Sequence, residues 1–164
     1  MSEKGKLLDK ARKLGREYLH QYKECGPTTL LAVADTLNLQ VGDELFKAMI
    51  GQSGQTGGCG GICGATATIG LKFGLDREEY LQNPGAIKIE RIVRKVRDKF
   101  VEEYGGYLCE DIQRKLFGRT FDIFIPEDVE AYIEAYEKTP LEKTCFGVTE
   151  NAAGWTVETI LGME

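Results

Sequence analysis

Apolar residues recur at helical spacing along most of the chain, and glycine, proline or asparagine marks where each run stops. From Lys4 to Tyr22, Leu7, Ala11, Leu14 and Tyr18 fall at steps of four, three and four, one face of an amphipathic helix with charged residues opposite. Pro27 suits the first turn of a second helix running through Leu30 to Leu39, because a first-turn residue has no N–H partner to lose. A shorter piece, Asp43 to Ile50, leads into a stretch with seven glycines between Gly51 and Gly64; Cys63 then opens a helix to about Phe73, with Gly74 as its stop. Asn83-Pro84 is the start signal of the longest pattern, in which Ile89, Ile92, Val93, Val96, Phe100 and Tyr104 keep helical spacing until Gly105-Gly106. Tyr107 to Phe117 reads as a short helix with Cys109 in its first turn, and Phe121 to Ile125 as a lone extended piece. Pro126 starts another helix with Val129, Ile133 and Tyr136 on one face. The last helix spans roughly Val148 to Leu161, a few residues beyond Cys145. No fixed-period repeat or linker divides the chain. The expectation is a single all-α domain over residues 1–164, a bundle of about six to eight helices, with an N-terminal helix in 1–22 and a glycine-rich cysteine loop at 51–64.

Composition narrows the function classes. A chain of 164 residues can bury a core without covalent staples, and 29% charged residues beside 42% hydrophobic ones fit a soluble globular domain. The net charge of −5 argues against nucleic acid and anionic membranes as partners, since phosphates reward a basic surface. Met1 to Lys13 lacks the apolar core of a signal peptide, and no apolar run approaches the roughly 20 residues that span a bilayer. The expected compartment is the cytoplasm, where thiols serve more often as metal ligands or redox groups than as disulfides. The five cysteines are an odd number, so they cannot all pair within the chain.

Cys25, Cys63, Cys109 and Cys145 each fall at, or within a turn of, a predicted helix start. Free N–H groups and the positive end of the helix dipole stabilise a thiolate there. If those starts converge, they offer four thiolates and amide donors to an anionic metal–sulfur centre. Free cysteine also packs in cores as a small hydrophobe, but four in like positions, one of them in a glycine loop, weigh toward a site. Cys59-x3-Cys63 is the only close pair; redox CxxC, haem-attaching CxxCH and zinc-ribbon spacings are absent. His20 is the only histidine, expected in solvent but five residues before Cys25, so a ligand role stays open. A His-rich metal site is excluded, and any Ser-His-Asp triad would need His20. The glycine loop has neither the GK[ST] ending nor the third glycine of phosphate-binding motifs. Asp76 to Glu79 and Glu127-Asp128 read as solvated surface, and Trp155 and the pair Tyr132 and Tyr136 as core or helix-contact aromatics.

A lone cysteine, a Cys-Gly-Ala block after a glycine-rich loop, then two further single cysteines resembles the redox-active family labelled C_GCAxxG_C_C. The matching residues are Cys25, then Cys63-Gly64-Ala65, then Cys109, then Cys145, so the resemblance spans about Tyr22 to Leu161. Cys59 is an addition to that pattern: a fifth ligand, a resolving thiol or a bystander. The resemblance implies a helical fold and a redox role. A related module beside haem-binding segments in some multihaem cytochromes implies electron transfer through an iron–sulfur centre, and this chain carries only the cluster half of that analogy. Three readings follow. The first is an electron carrier, rather than a substrate-specific enzyme, with an iron–sulfur cluster, [2Fe–2S] first, on Cys25, Cys63, Cys109 and Cys145. Cys59, Gly64 and His20 are additional candidates for that site. The second is a metal-free thiol–disulfide protein or sensor using Cys59 and Cys63, and the third a structural zinc site in an interaction domain. A redox partner protein of basic surface is expected, and a homodimer is compatible with the sequence.

Overall fold

The structure, a computed structural model, describes residues 2–52, 57–83 and 87–163. The described residues form nine α-helices and no strand: α1 (Glu3–Tyr22), α2 (Cys25–Leu37), α3 (Asp43–Gly51), α4 (Gly60–Phe73), α5 (Arg77–Gln82), α6 (Ile87–Tyr104), α7 (Cys109–Phe117), α8 (Pro126–Glu137) and α9 (Cys145–Leu161), with a 3₁₀ turn at Leu141–Lys143. The all-α class is as expected, with more helices than the six to eight anticipated. The addition is α5, a two-turn helix held by reciprocal caps between Asp76 and Glu79. The start signal at Pro84 and Gly54 of the glycine loop lie outside the described residues.

The core is built from α2, α4 and α9, helices apolar on nearly every side, flanked by the amphipathic α1 and α6. Leu30 and Val33 of α2, Ala65 and Ile69 of α4, and Ala152 and Val157 of α9 are fully enclosed. From α6, Ile92, Val96 and Phe100 reach the same core, as their spacing predicts. On α1 the buried line is Ala11, Gly15 and Leu19, a residue away from the expected Leu14 and Tyr18, which are only partly covered. The reason is the close approach of α1 to α9: a Cβ on Gly15 would lie 2.7 Å from the Thr149 carbonyl oxygen. Thr149 Oγ1 donates to the Gly15 carbonyl at 3.1 Å, and the Arg16 guanidinium pairs with Glu150 beside it.

Three local expectations change. Helix α4 begins at Gly60 with Cys59 as its N-cap, so Cys63 lies at the end of the first turn instead of opening it. Helix α9 begins at Cys145, three residues before Val148, because Thr144 caps it: its Oγ1 accepts from Phe146 N at 3.3 Å. Phe121 to Ile125 is a turn, not an extended piece; Asp122 folds it by accepting from Phe124 N through Oδ1 and from Ile125 N through its carbonyl. Among the described residues, no helix is long and apolar enough to cross a membrane.

Candidate redox site

Four thiols are delivered by helix starts. Cys25, Cys109 and Cys145 are the first residues of α2, α7 and α9, and Cys59 is the N-cap of α4. Two backbone arrangements bring these starts together. Gly60 and Gly64, a turn apart on α4, face α2: a Cβ on Gly60 would lie 2.7 Å from Cys25 Cβ, and one on Gly64 2.8 Å from Leu30 N. Without those side chains, α2 and α4 meet almost backbone to backbone, which sets Cys59 beside Cys25. A single antiparallel bridge then pairs Gly58 with Leu108. Cys59 N donates to the Tyr107 carbonyl at 2.9 Å and Cys109 N to the Gly57 carbonyl at 3.1 Å. The pleat sends Cys59 and Cys109 to the same face of that bridge.

The thiols sense one another. Cys25 and Cys145 are joined by a side-chain hydrogen bond, and the charges of Cys59 and Cys109 also act on Cys25. Cys25 is held well above the ordinary thiol range by that bond and by burial. Cys145 is its opposite: the bond from Cys25 lowers it most, Tyr136 and Tyr132 add to the effect against burial, and it falls to about 6. Tyr132 Oη stands 3.7 Å from Cys145 Sγ, while Tyr136 Oη accepts from Cys145 N at 3.1 Å. Burial pushes Cys59 up strongly, with help from Cys145 and Cys109, although the amides of Gly61 and Ile62 favour its thiolate. Cys109 is pushed up to about 11 by burial first, then by Cys145, Glu110 and Cys63. Cys59 is only 4% exposed, and the other four thiols are half-buried.

Two clefts reach the thiols, one at Cys25 and Cys145 and the other at Cys109. One, about 360 Å³, is lined by Cys25, Cys145, Tyr132 and Tyr136 together with Lys23 and Phe146. The other, about 450 Å³, opens on Cys109, under Glu110, Asp122, Phe124 and Asp128. Gln113 closes the floor of this second cleft: its Oε1 accepts from Phe121 N at 2.8 Å, and its Nε2 lies 4.0 Å from Cys109 Sγ.

The sequence-derived candidates fall into place unevenly. Cys25, Cys109 and Cys145 are brought together, and the fourth thiol in mutual reach is Cys59. Cys63 follows one turn behind on α4, packed under Gly58 and within electrostatic reach of Cys109. Gly64 serves the α2–α4 contact. His20 is exposed and stacks its ring 4.3 Å from that of Phe146. The residues that sequence reasoning missed are Tyr132 and Tyr136. Their i,i+4 spacing on α8 was visible, but which helix start they would cover was not.

The donor set suits a soft metal centre. Several thiols in mutual reach oppose each other's ionisation, and metal charge removes that penalty. Among the described residues, no group of three or more His, Cys, Asp or Glu side chains is placed to share one metal ion. A cluster asks for less, since its thiolates bind different irons with sulfide between them. Two buried hydroxyls without a hydrogen-bond partner, Thr28 and Thr29, lie one turn along α2 from Cys25.

The profile of a family described as "Putative redox-active protein (C_GCAxxG_C_C)" matches residues 23–159. A protein of Archaeoglobus fulgidus described as uncharacterized is 28% identical over 121 residues, which cover 66% of this chain and 77% of that protein. No solved structure matches the chain.

Proposed function

The chain belongs to the C_GCAxxG_C_C family, described as redox-active, and on that premise we propose that it is an electron carrier built around an iron–sulfur cluster, [2Fe–2S] first, on Cys25, Cys59, Cys109 and Cys145. The observation that carries this reading is the convergence of four thiols from four helix starts, within reach of one another's charge. Cys59 replaces Cys63 in the ligand set because it caps α4 and is stitched to Cys109 through the Gly58–Leu108 bridge. When bound, the cluster supplies reversible one-electron chemistry. The chain's own residues bind and tune. Helix-start amides and the hydroxyls near Cys145 favour the more negative reduced state and so raise the potential. The α2–α4 contact keeps water from the Cys59 side.

The test is an ultraviolet–visible spectrum of protein purified without oxygen, with iron, sulfide and zinc assayed on the same sample. Broad visible absorption that bleaches with dithionite, with iron and sulfide in equal amounts, is expected. Cys59→Ser should lose most of the cluster and Cys63→Ser should keep it. The reverse pattern would assign the fourth ligand to Cys63, and a colourless, iron-free preparation would remove the cluster reading.

A metal-free thiol–disulfide role is the second reading, favoured by the hydrogen-bonded pair Cys25 and Cys145 and by the lowered Cys145. Here the Cys145 thiolate attacks a substrate disulfide and expels one thiolate. Cys25, giving up its proton, then attacks the Cys145 sulfur and releases the second thiol. The substrate gains two electrons, and Cys25 and Cys145 end as a disulfide. The hydrogen bond between Cys25 and Cys145 favours this pair over Cys59 with Cys63. Alkylation separates the readings, because a cluster protects its four thiols until the metal is removed.

A further inference from the structure

Charge is distributed unevenly over this molecule. Between Tyr107 and Glu137, the segment carrying α7 and α8, eight acidic side chains stand against three basic ones. That surplus equals the whole chain's net charge of −5, so the rest of the protein is neutral in sum. The same segment sets Tyr132 and Tyr136 at Cys145 and carries most of the lining of the cleft of about 450 Å³ that opens on Cys109. Three carboxylates, Glu110, Asp122 and Asp128, line that cleft, and among the described residues no cation does. Arg114 and Arg119 pair with Glu110 and Asp128 from outside the lining and leave Asp122 to the cleft. Apolar surface crowds the same place. Phe124 on the cleft wall is 82% exposed, Leu108 beside it 43%, and Tyr107 and Ile125 are similarly open. A phenylalanine that exposed buries little of its ring against its own fold. An apolar centre with an acidic rim, over a half-buried redox thiol, has the anatomy of a small transient interface.

We propose that this acidic, apolar-centred face around Cys109 is the docking surface for a redox protein with a basic rim around its own redox group, and that Cys109 is the ligand nearest the transferred electron. The proposal rests on the electron-carrier reading above. In the step it serves, one electron leaves the reduced centre, which is oxidised by one equivalent, and the partner's redox group is reduced by one; no bond or proton changes hands. Opposite charges steer the encounter, and the apolar centre holds it briefly, so that rate rather than affinity is gained.

The experiment uses the full, metal-loaded protein reduced under nitrogen and mixed in a stopped-flow instrument with either of two oxidants. Mammalian cytochrome c serves as a basic protein probe, and ferricyanide as a small anion that needs no docking face. Expected is a cytochrome c rate that falls about tenfold or more as ionic strength rises from low to physiological, and a ferricyanide rate that does not fall. Phe124→Ser should slow cytochrome c several-fold while leaving the visible spectrum, the potential and the ferricyanide rate unchanged, and Glu110→Gln should slow cytochrome c several-fold and flatten its salt dependence without slowing ferricyanide. A cytochrome c rate indifferent to salt and to both variants would overturn the proposal, whatever the variants do to the fold, because the salt series needs only the unmodified chain. A salt-sensitive dimer of this chain abolished by Phe124→Ser would also overturn it, making the occupant a second copy. Failure to reduce either oxidant would instead strike the electron-carrier reading beneath it.

Discussion

Burial alone drives a thiol to hold its proton, as Cys59 and Cys109 show. Cys145 goes the other way because Cys25 donates to its sulfur and two tyrosine hydroxyls stand at it. In reduced, metal-free protein, the alkylation rate of Cys145 should therefore rise through a midpoint near pH 6, with slow thiol below it and fast thiolate above. Replacing Cys25 by Ala and Tyr132 by Phe together removes two donors to the thiolate, so the midpoint should move up toward the ordinary thiol range. The rate at neutral pH should then drop about tenfold. A midpoint that stays put after both changes would assign the shift to Tyr136 and the backbone at the start of α9. At this scale the helix starts at Cys25 and Cys109 were legible, whereas α4 and α9 each begin three residues before the expected position. Tyr132 and Tyr136 were not legible, because their role exists only once α8 lies against the start of α9, and no local pattern encodes that meeting.

At the scale of elements, the glycines of α4 divide into two kinds with opposite consequences. Gly60 lies where a Cβ would meet Cys25 Cβ and the Gly26 amide, both at 2.7 Å, and backbone cannot step aside cheaply. Gly60→Ala should destabilise the protein by about 1–3 kcal/mol through overpacking. Gly70, in the same helix, has open space around it, and Gly70→Ala should stabilise by about 0.5–1 kcal/mol by restoring helix propensity. Urea denaturation of both variants beside the parent checks the sign of each. The density of glycine announced a close approach, but its partner was hidden. The Cys63 start was misplaced for a related reason: Gly60 and Gly61 read as loop by propensity, yet tertiary contact with α2 makes them the first turn of α4.

For the molecule as a whole, apolar periodicity was enough to give the all-α class, because α1 and α6 each carry one clean stripe. It was not enough to say which helix lies against which. The contact of α1 with α9 joins segments more than a hundred residues apart, and it rests on Gly15 and Thr149, which no periodic scale would single out. Phe100 ties the core to the site. It is fully enclosed, meets Trp155 edge-on at 5.4 Å between centroids, and lies under Gly61 in the first turn of α4. Phe100→Ala should cost about 3–5 kcal/mol, read from thermal or urea unfolding, and should loosen the Cys59 end of the site with it. A loss below about 1 kcal/mol would mean that α4 and α9 collapse into the space without strain.

The cysteine of α9 has a consequence for how such a protein is made. On a ribosome the chain emerges from its first residue onward, so Cys25, Cys59, Cys63 and Cys109 all appear before Cys145 does. Helix α1 likewise waits for the last helix, its main neighbour, before its buried face is covered. Until then the nascent chain displays reactive sulfur without the residue that completes the arrangement. Any chemistry that needs Cys25 and Cys145 together therefore has to wait until α9 has been made and has packed against α1.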